Sequence, residues 1–564
     1  MSKRLLIGFI GFLVILGASW ALIRPEFFRV HDYIHAARIA EFSKAWAEGH
    51  IPVRWSSNFG YGYGMPLFQF YAPLPYAVGA VIWSTGLSIV TTIKILYVIS
   101  TILIFIGSFK FGKELYGTYG GIIAASLATL APYRAVNLYI RGALSESWAM
   151  SFFPWILLGM YLVVKGKTNG WITLTLSVAA IVLSHNISLI LMAPFVAMYA
   201  MYILIQLYFN PVNKNAKLSY IWQKCIALCT PVLLAIGISS FYVIPSFFEK
   251  QHTKVDSAIL GGYFDFNVHF LYIRQLLTPQ WSYGGSQWGP DDGISFFIGL
   301  ASIFAITMIV IKVMYTYRFS LSIFVKKNKD IIFWFGLVVI GFWATTFKAQ
   351  WLWQTLDIFE YLQFPWRFFS PTVVLLSFAI ASSVTLFASK WSKFLFASSI
   401  CLIALSSQSF YFQPEAYLND ADSFYYTDPT RIRSQMSSIL PDYIPANLTL
   451  ESPPEMFFTP QLEFTSHLDR THQKLISYTL SQPGMYQAAI ADFPGWTAEI
   501  DGKSIEQNTS DTGLIEVYLP EGSHTLSFHF ANTPIRNVAD SISGLSIIVF
   551  IGLLYRQHHM EKNK

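Results

Sequence analysis

The sequence predicts a mainly helical, polytopic membrane protein with a β-sandwich near its C-terminus. Three observations carry that prediction. Of the 564 residues 54% are hydrophobic and only 12% are charged, whereas a soluble globular chain carries about 25% charged residues. Apolar runs of about 20 residues, the length that crosses a bilayer core, recur along the chain, and mean hydropathy is +0.45. Between 411 and 538 the composition turns polar, and short alternating segments replace the long runs.

Taken in order, crossings are expected near 5–23, 91–109, 118–136, 148–165, 171–184, 187–208, 222–246, 294–314, 331–347, 369–388, 394–410 and 540–556. The first run has the basic start of a signal peptide. It is long, and no clear small-x-small cleavage site precedes Arg24, so it reads as a retained helix. Segment 67–88 is apolar as well, but Pro66, Pro73 and Pro75 interrupt helical hydrogen bonding there. It reads as a non-crossing juxtamembrane element. Charge parity agrees. With 67–88 left out of the count, Lys110/Lys113, Lys165/Lys167, Lys214/Lys217/Lys224, the 312–329 cluster, Lys390/Lys393 and the tail with Arg556, Lys562 and Lys564 all fall on one side. That side is the cytoplasm. Both termini are then cytoplasmic, and loops 24–90, 137–147, 247–293 and 348–368 face outward. The expected division is a transmembrane domain 1–410 with outer loop 24–90, an outer β-domain 411–538, and a last helix with a basic tail at 539–564.

Within 411–538 the runs KLISYTL, GMYQAAIA, WTAEIDG, IEVYLP and HTLSFHF are separated by Gly, Pro, Asn and Asp. They read as strands of an antiparallel sandwich, with turn signals at Asp501-Gly502 and Glu521-Gly522. Cys225, Cys229 and Cys401 all lie in apolar segments and form no disulfide framework. Cys225 and Cys229 share a helix face, but no further ligands cluster there, so they read as apolar fillers.

The outer loops favour arginine: Arg24, Arg29, Arg38, Arg54, Arg134, Arg141, Arg274 and Arg367. A guanidinium fork binds phosphate in bidentate fashion. Beside a membrane this fits a phosphate-bearing lipid, or else packing on headgroups and aromatic rings. Asp32 opens an amphipathic stretch just past the first helix, with His31 and His35 at helical spacing. Its carboxylate suits either a helix N-cap or a general base for an incoming hydroxyl. HDYIH also resembles a zinc-protease box with Asp for Glu, though no third ligand is evident. Arg141 and Glu146, close together in IRGALSESW, read as a structural pair or as a second acid with a phosphate clamp. His185 and Asn186 sit at a turn between apolar runs, where they suit helix ends. Tyr61 and Tyr63 in NFGYGYG, and Trp281 in a similar outer loop, are candidates for stacking on a sugar ring. Trp366 and Arg367 in QFPWRFF fit a phosphate site or a snorkelling arginine. No nucleotide-binding fingerprint is present, and nothing points to nucleic acid.

The motifs HDYIHAARIAEFSKAWAEGHIPVRW, NFGYGYGMPLFQFYAPLPY, YIRGALSESWA, LSHN and LQFPWRFF together resemble bacterial membrane proteins labelled 6-pyruvoyl-tetrahydropterin-synthase-related. The architecture is similar to the GT-C superfamily of glycosyltransferases that use lipid-linked sugars. FPGWTAEIDGK…YLPEGSHTLSFHF resembles the C-terminal sandwich of large proteins of that superfamily. The resemblance implies that Asp32 takes the place of the catalytic Asp and Glu146 that of the second-loop acid. Family members often carry a DxD- or DE-like acidic pair. Here His31-Asp32 stands in that place, which leaves the need for a divalent cation open.

The implied protein is a glycosyltransferase of a bacterial plasma (inner) membrane. It takes a polyprenyl-phosphate sugar as donor and a glycan, lipid or protein as acceptor, with inversion and with Asp32 as general base. His31, His35, Arg38, Arg54, Tyr61, Tyr63, Arg141, His185, Asn186, Trp281, Trp366 and Arg367 are the candidate binding residues. Two other classes stand beside it: a lipid or polysaccharide transporter, and a carbohydrate-binding membrane scaffold.

Overall fold

The structure is a computed structural model that describes residues 3–209, 217–318, 320–418, 424–439 and 441–562. Lys214 and Lys564, expected in basic cytoplasmic segments, lie outside them. Among the described residues nine helices are long and apolar enough to cross a bilayer. The chain is a multi-pass membrane protein.

The expected crossings map onto these helices once three features are taken into account. Ile89–Thr129 runs for 41 residues but breaks at Gly117, whose φ of 72° no helix holds. Its two arms pack on each other through glycines. A Cβ on Gly112 would lie 3.0 Å from the Cβ of Ala124, and one on Gly121 only 2.7 Å from the Phe109 carbonyl. Only glycine permits so close an approach. Gly170–Val182 and Lys329–Ala344 are shorter helices that cover the expected spans 171–184 and 331–347. Segment 67–88 forms Leu67–Phe70 and Leu74–Trp83. The latter has 10 residues and rises about 15 Å, half the thickness of a bilayer core. It is too short to cross.

Contacts divide the chain into two compact units. The first comprises 1–33, 94–235 and 260–419. Its helices pack closely. Leu144–Val164 lies against Gly170–Val182, where a Cβ on Gly159 would fall 2.7 Å from the Leu174 nitrogen. Phe369–Ser382 is buried at every residue, and the hydroxyls of Thr372, Ser377 and Ser382 donate back to nearby backbone carbonyls. Strand β1 (Phe27–Phe28) pairs antiparallel with β2 (Tyr417–Leu418). The Lys94 ammonium donates to the carbonyls of Arg24, Pro25 and Glu26 at 2.5, 3.1 and 2.6 Å. These contacts fix the chain just ahead of Asp32.

The second unit comprises 34–93, 236–259 and 420–564. It holds the helix His35–Ala47, the juxtamembrane elements, the sandwich and the last helix, Pro534–Lys562. One sheet has the order β3 (Phe458–Thr459), β6 (Gly484–Ala491), β10 (Leu514–Leu519), β9 (Gln507–Thr509). The other runs β4 (Phe464–Arg470), β5 (Gln473–Leu480), β11 (Gly522–Phe530), β7 (Trp496–Ile500), β8 (Lys503–Ile505). Along β7 burial alternates strictly, with Trp496, Ala498 and Ile500 inside, the period of a half-buried strand. The β7–β8 turn places Asp501 at φ 51° and Gly502 at φ 76°. Two successive positive φ values make the hairpin turn that Asp-Gly favours. Below the sandwich, Glu249 accepts from Gln69, Thr533 and Arg536 at 2.5, 2.6 and 2.8 Å.

Candidate functional site

The polar cluster of the first unit is built on the stretch from Tyr133 to Glu146. Pro132 opens a short helix, Pro132–Ala135, that continues as a wide turn Val136–Arg141. Gly142 ends it at φ 70°, and a Cβ there would lie 2.8 Å from Val30. The Val30 segment lies along this turn. His31 N donates to Ile140 O at 3.0 Å, and Asp32 N donates to Arg141 O at 2.8 Å. The next helix, Leu144–Val164, carries Glu146 in its first turn, where the helix dipole favours a negative charge.

Glu146 is almost wholly buried and fully engaged. Oε1 accepts from Tyr133 Oη at 2.8 Å and from Asn137 Nδ2 at 3.1 Å. Oε2 accepts from Arg141 Nη1 at 2.6 Å. Arg141 Nη1 also donates to Asn137 Oδ1 at 2.6 Å, and its guanidinium lies 4.8 Å over the Trp366 ring. Burial alone lowers the pKa of Arg141. The charge of Glu146, followed by Tyr133 and Asp32, overcomes burial and raises it above the ordinary guanidinium value.

Trp366 is held in turn. Its Nε1 donates to Ser286 Oγ at 3.0 Å, and Ser286 Oγ lies 2.9 Å from His269 Nδ1. His269 Nε2 meets the Tyr263 carbonyl at 2.6 Å. A carbonyl only accepts, so Nε2 carries the proton. Burial lowers the His269 pKa and keeps the ring neutral, so Nδ1 accepts from the Ser286 hydroxyl. Every donor and acceptor in this chain is therefore assigned, and it fixes the ring beneath Arg141.

Asp32 stands apart from these satisfied groups. It is half-buried, and its carboxylate has no hydrogen-bond partner among the described residues. It interacts electrostatically with both Arg141 and Arg367. Arg367 Nη1 donates to Leu362 O and Gln363 Oε1, both at 2.9 Å, while its buried Nε has no partner. His31 is exposed and its Nε2 lies 3.1 Å from Tyr283 O. His185 Nδ1 accepts from the Ser188 N–H at 3.3 Å and lies 2.9 Å from Ser188 Oγ, so it caps the helix Asn186–Phe209 that Asn186 opens. Burial pushes its pKa down to about 3 against the pull of Glu146, with Arg367 and Arg141 reinforcing the drop. Trp281 packs at a tilt against Tyr411, with ring centroids 4.8 Å apart, and its buried Nε1 has no partner.

The structure therefore gathers Asp32, Arg141, Glu146, His185, Trp366 and Arg367 in one unit, together with His31, Asn186 and Trp281. Tyr133, Asn137, Ser286 and His269 were not among the expected residues. Asn137 had a readable signal, because it stands four residues before Arg141 and i,i+4 neighbours meet on a helical turn.

Other expectations are corrected. Residues 31–34 form a turn, and the helix begins only at His35 with Ile34 as its N-cap. Asp32 is not that cap, and His31, Asp32 and His35 do not share one helical face. The geometry of a zinc-protease box on one helix is absent. No group of three His, Cys, Asp or Glu among the described residues is placed to hold a metal.

His35, Arg38, Arg54, Tyr61 and Tyr63 belong to the second unit. His35 Nδ1 lies 2.7 Å from Tyr76 Oη. Arg38 is 2% exposed with its guanidinium 3.8 Å from the Tyr71 ring centroid. Arg54 is 3% exposed and pairs with Asp540 at 2.6 Å. Neither guanidinium is part of an open arginine surface, because a buried cation needs a counter-charge or an aromatic face close by. Tyr61 and Tyr63 are buried. A Cβ on Gly64 would lie 2.5 Å from Trp55 Nε1, so chain packing accounts for this glycine.

No family model matches the chain. A Lactococcus lactis subsp. cremoris (strain MG1363) protein described as uncharacterized is 26% identical over 238 residues, which is 40% of this chain and 37% of that protein. The chain thus spans well under half the length of this curated relative. Among solved structures, mycobacterial arabinofuranosyltransferase AftD aligns over 75% of this chain and 28% of its own, with 14% identity and a TM-score of 0.46. The oligosaccharyltransferase of Archaeoglobus fulgidus aligns over 74% and 56%, with 11% identity and a TM-score of 0.42. ArnT from Cupriavidus metallidurans, bound to undecaprenyl phosphate, aligns over 70% and 63%, with 12% identity and a TM-score of 0.35. Kinship with 6-pyruvoyl-tetrahydropterin-synthase-related proteins finds no support in these comparisons.

Proposed function

We propose that the protein is an integral membrane glycosyltransferase. It moves a sugar from a polyprenyl-phosphate donor to an acceptor hydroxyl at the outer face of a bacterial plasma membrane. The observation that carries this reading is the contrast between two carboxylates. Glu146 is saturated by Tyr133, Asn137 and Arg141. Asp32 has no hydrogen-bond partner among the described residues and interacts with Arg141 and Arg367.

In this reading Asp32 takes the proton of the acceptor hydroxyl as its oxygen attacks the anomeric carbon. The new glycosidic bond forms on the face opposite the departing phosphate, and the configuration inverts. The bond from the anomeric carbon to the phosphate oxygen breaks, and polyprenyl phosphate leaves with the electron pair. Arg141 and Arg367 offset the charge that develops on that phosphate. Glu146 acts as a positioning residue that aims and charges Arg141, and the Trp366–Ser286–His269 chain supports the same guanidinium. Both termini are then cytoplasmic and the sandwich lies outside.

Purified protein in proteoliposomes, given a polyprenyl-phosphate sugar labelled in the sugar, separates this reading from its rivals. Label transferred off the lipid supports the enzyme. Label that crosses the bilayer still attached to lipid supports a transporter, and retention by binding alone supports a scaffold.

A further inference from the structure

The FPGW motif lies outside the reaction assigned to Asp32, yet it forms one side of a cleft of about 350 Å³ in the second unit. That volume falls in the range of about 300–1,000 Å³ typical of small-molecule sites. The cleft is lined by the segment Asp492–Trp496 between β6 and β7, by Gln507 at the start of β9, and by the stretches 251–252 and 446–447.

These walls are joined by hydrogen bonds. Ala446 N donates to His252 O and Lys254 N donates to Ile444 O, both at 2.9 Å. Gly495 adopts φ 111°, and a Cβ there would lie 2.5 Å from the Ala531 carbonyl, so the motif requires glycine. From behind, Arg536 Nη2 donates to Pro494 O at 2.7 Å, and Glu249 holds that guanidinium at 2.8 and 3.0 Å. A cleft braced in this way is formed before any ligand arrives, which lowers the ordering cost of binding.

Its chemistry is selective. Thr509 Oγ1 donates to Asp492 Oδ2 at 2.5 Å, and no described group bonds the other oxygen. Gln507 Nε2 donates to Trp496 O at 2.8 Å, and its buried Oε1 has no partner. The indole nitrogen of Trp496 is likewise buried without one. Gln251 and Asn447 bring exposed side-chain amides, while Phe493 and Trp496 are packed into the wall behind them. Among the described residues no Lys or Arg lines the cleft and His252 is its one basic side chain, while the Asp492 carboxylate repels a phosphate or an acidic ligand. One carboxylate and several amides match the hydroxyls that ring the edge of a sugar.

We infer that this cleft is a binding site for a neutral saccharide. It stands on its own geometry and does not depend on the transfer reaction proposed for Asp32. The test uses the full chain in lipid nanodiscs, which avoids sugar-headed detergents. An array of neutral, acidic and phosphorylated microbial glycans is probed first, and calorimetry follows with the best neutral glycan. The expected result is binding of at least one neutral glycan, weakened tenfold or more by Asn447→Ala and by Asp492→Asn, and unchanged by Asp32→Asn. Asn447 is exposed, so its truncation tests the cleft without threatening the fold. Capture of charged glycans only, no neutral glycan bound, or full affinity in the Asn447→Ala and Asp492→Asn variants would overturn the inference.

Discussion

Replacing Glu146 with glutamine isolates the electrostatics at the centre of the cluster. The substitution keeps the shape and keeps an acceptor for Tyr133 or Asn137. It removes the charge that faces Arg141 at 2.6 Å, where the two side chains are 1% and 11% exposed. Taking one partner from a buried ion pair costs about 3–5 kcal/mol, because the other charge stays buried and uncompensated. The retained hydrogen bonding places this variant near the lower bound, about 3 kcal/mol. At about 1 °C per kcal/mol for a chain of this size, the unfolding temperature should fall by about 3 °C. The double variant Arg141→Met with Glu146→Gln removes both charges and should recover most of that loss. Tryptophan fluorescence during a thermal ramp in nanodiscs reads both numbers. A drop under about 1 °C in the single variant, or no recovery in the double variant, refutes the idea that Arg141 depends on Glu146.

Three further outcomes are expected. Asp292 is buried, and burial pushes its carboxyl from the ordinary 3.8 up to about 6 against the backbone N–H groups of Gln287, Ile294 and Gly293. A raised carboxyl stabilises the fold only while protonated, so its contribution is full below about pH 4 and is lost as pH rises through about 6. The melting temperature should therefore fall between about pH 4 and pH 6.5 and level off above that, and Asp292→Asn should flatten that slope. Gly159→Ala should destabilise by about 1–3 kcal/mol, since the new Cβ would meet the Leu174 backbone at 2.7 Å; an unchanged melting curve would show that the two helices yield. In a variant lacking Cys225, Cys229 and Cys401, a membrane-impermeant maleimide should label Asn508→Cys in intact cells and spare Lys326→Cys; the reverse pattern would invert the topology.

Features that depend on neighbouring residues were legible in the sequence, and features that depend on distant packing were not. The prolines of 67–88 announced a non-crossing segment, and Leu74–Trp83 is indeed too short to span a bilayer. Asp501-Gly502 announced a hairpin, and both residues take positive φ. The pairing of Arg141 with Glu146 was readable because the two stand five residues apart. The chain from Trp366 through Ser286 to His269 was not, since it links positions up to 97 residues apart through residue types common in any loop. Arg38 and Arg54 illustrate the other limit. Their residue type suits phosphate, but burial against Tyr71 and Asp540 comes from the fold and leaves no mark in the local sequence. His31 and His35 have helical spacing, yet the helix starts one residue after Ile34, and a boundary shift of that size separates their roles.

The central claim is that Asp32 is the base of a sugar-transfer reaction at the membrane surface. Its most direct test is the initial rate of sugar transfer from a labelled polyprenyl-phosphate donor by the wild-type protein and by Asp32→Asn, with the unfolding temperature of each recorded alongside. The wild type should turn over, the variant should lose about 10²–10⁴-fold, the range of general base catalysis, and the two unfolding temperatures should agree. Wild-type turnover retained by a folded Asp32→Asn protein would contradict it.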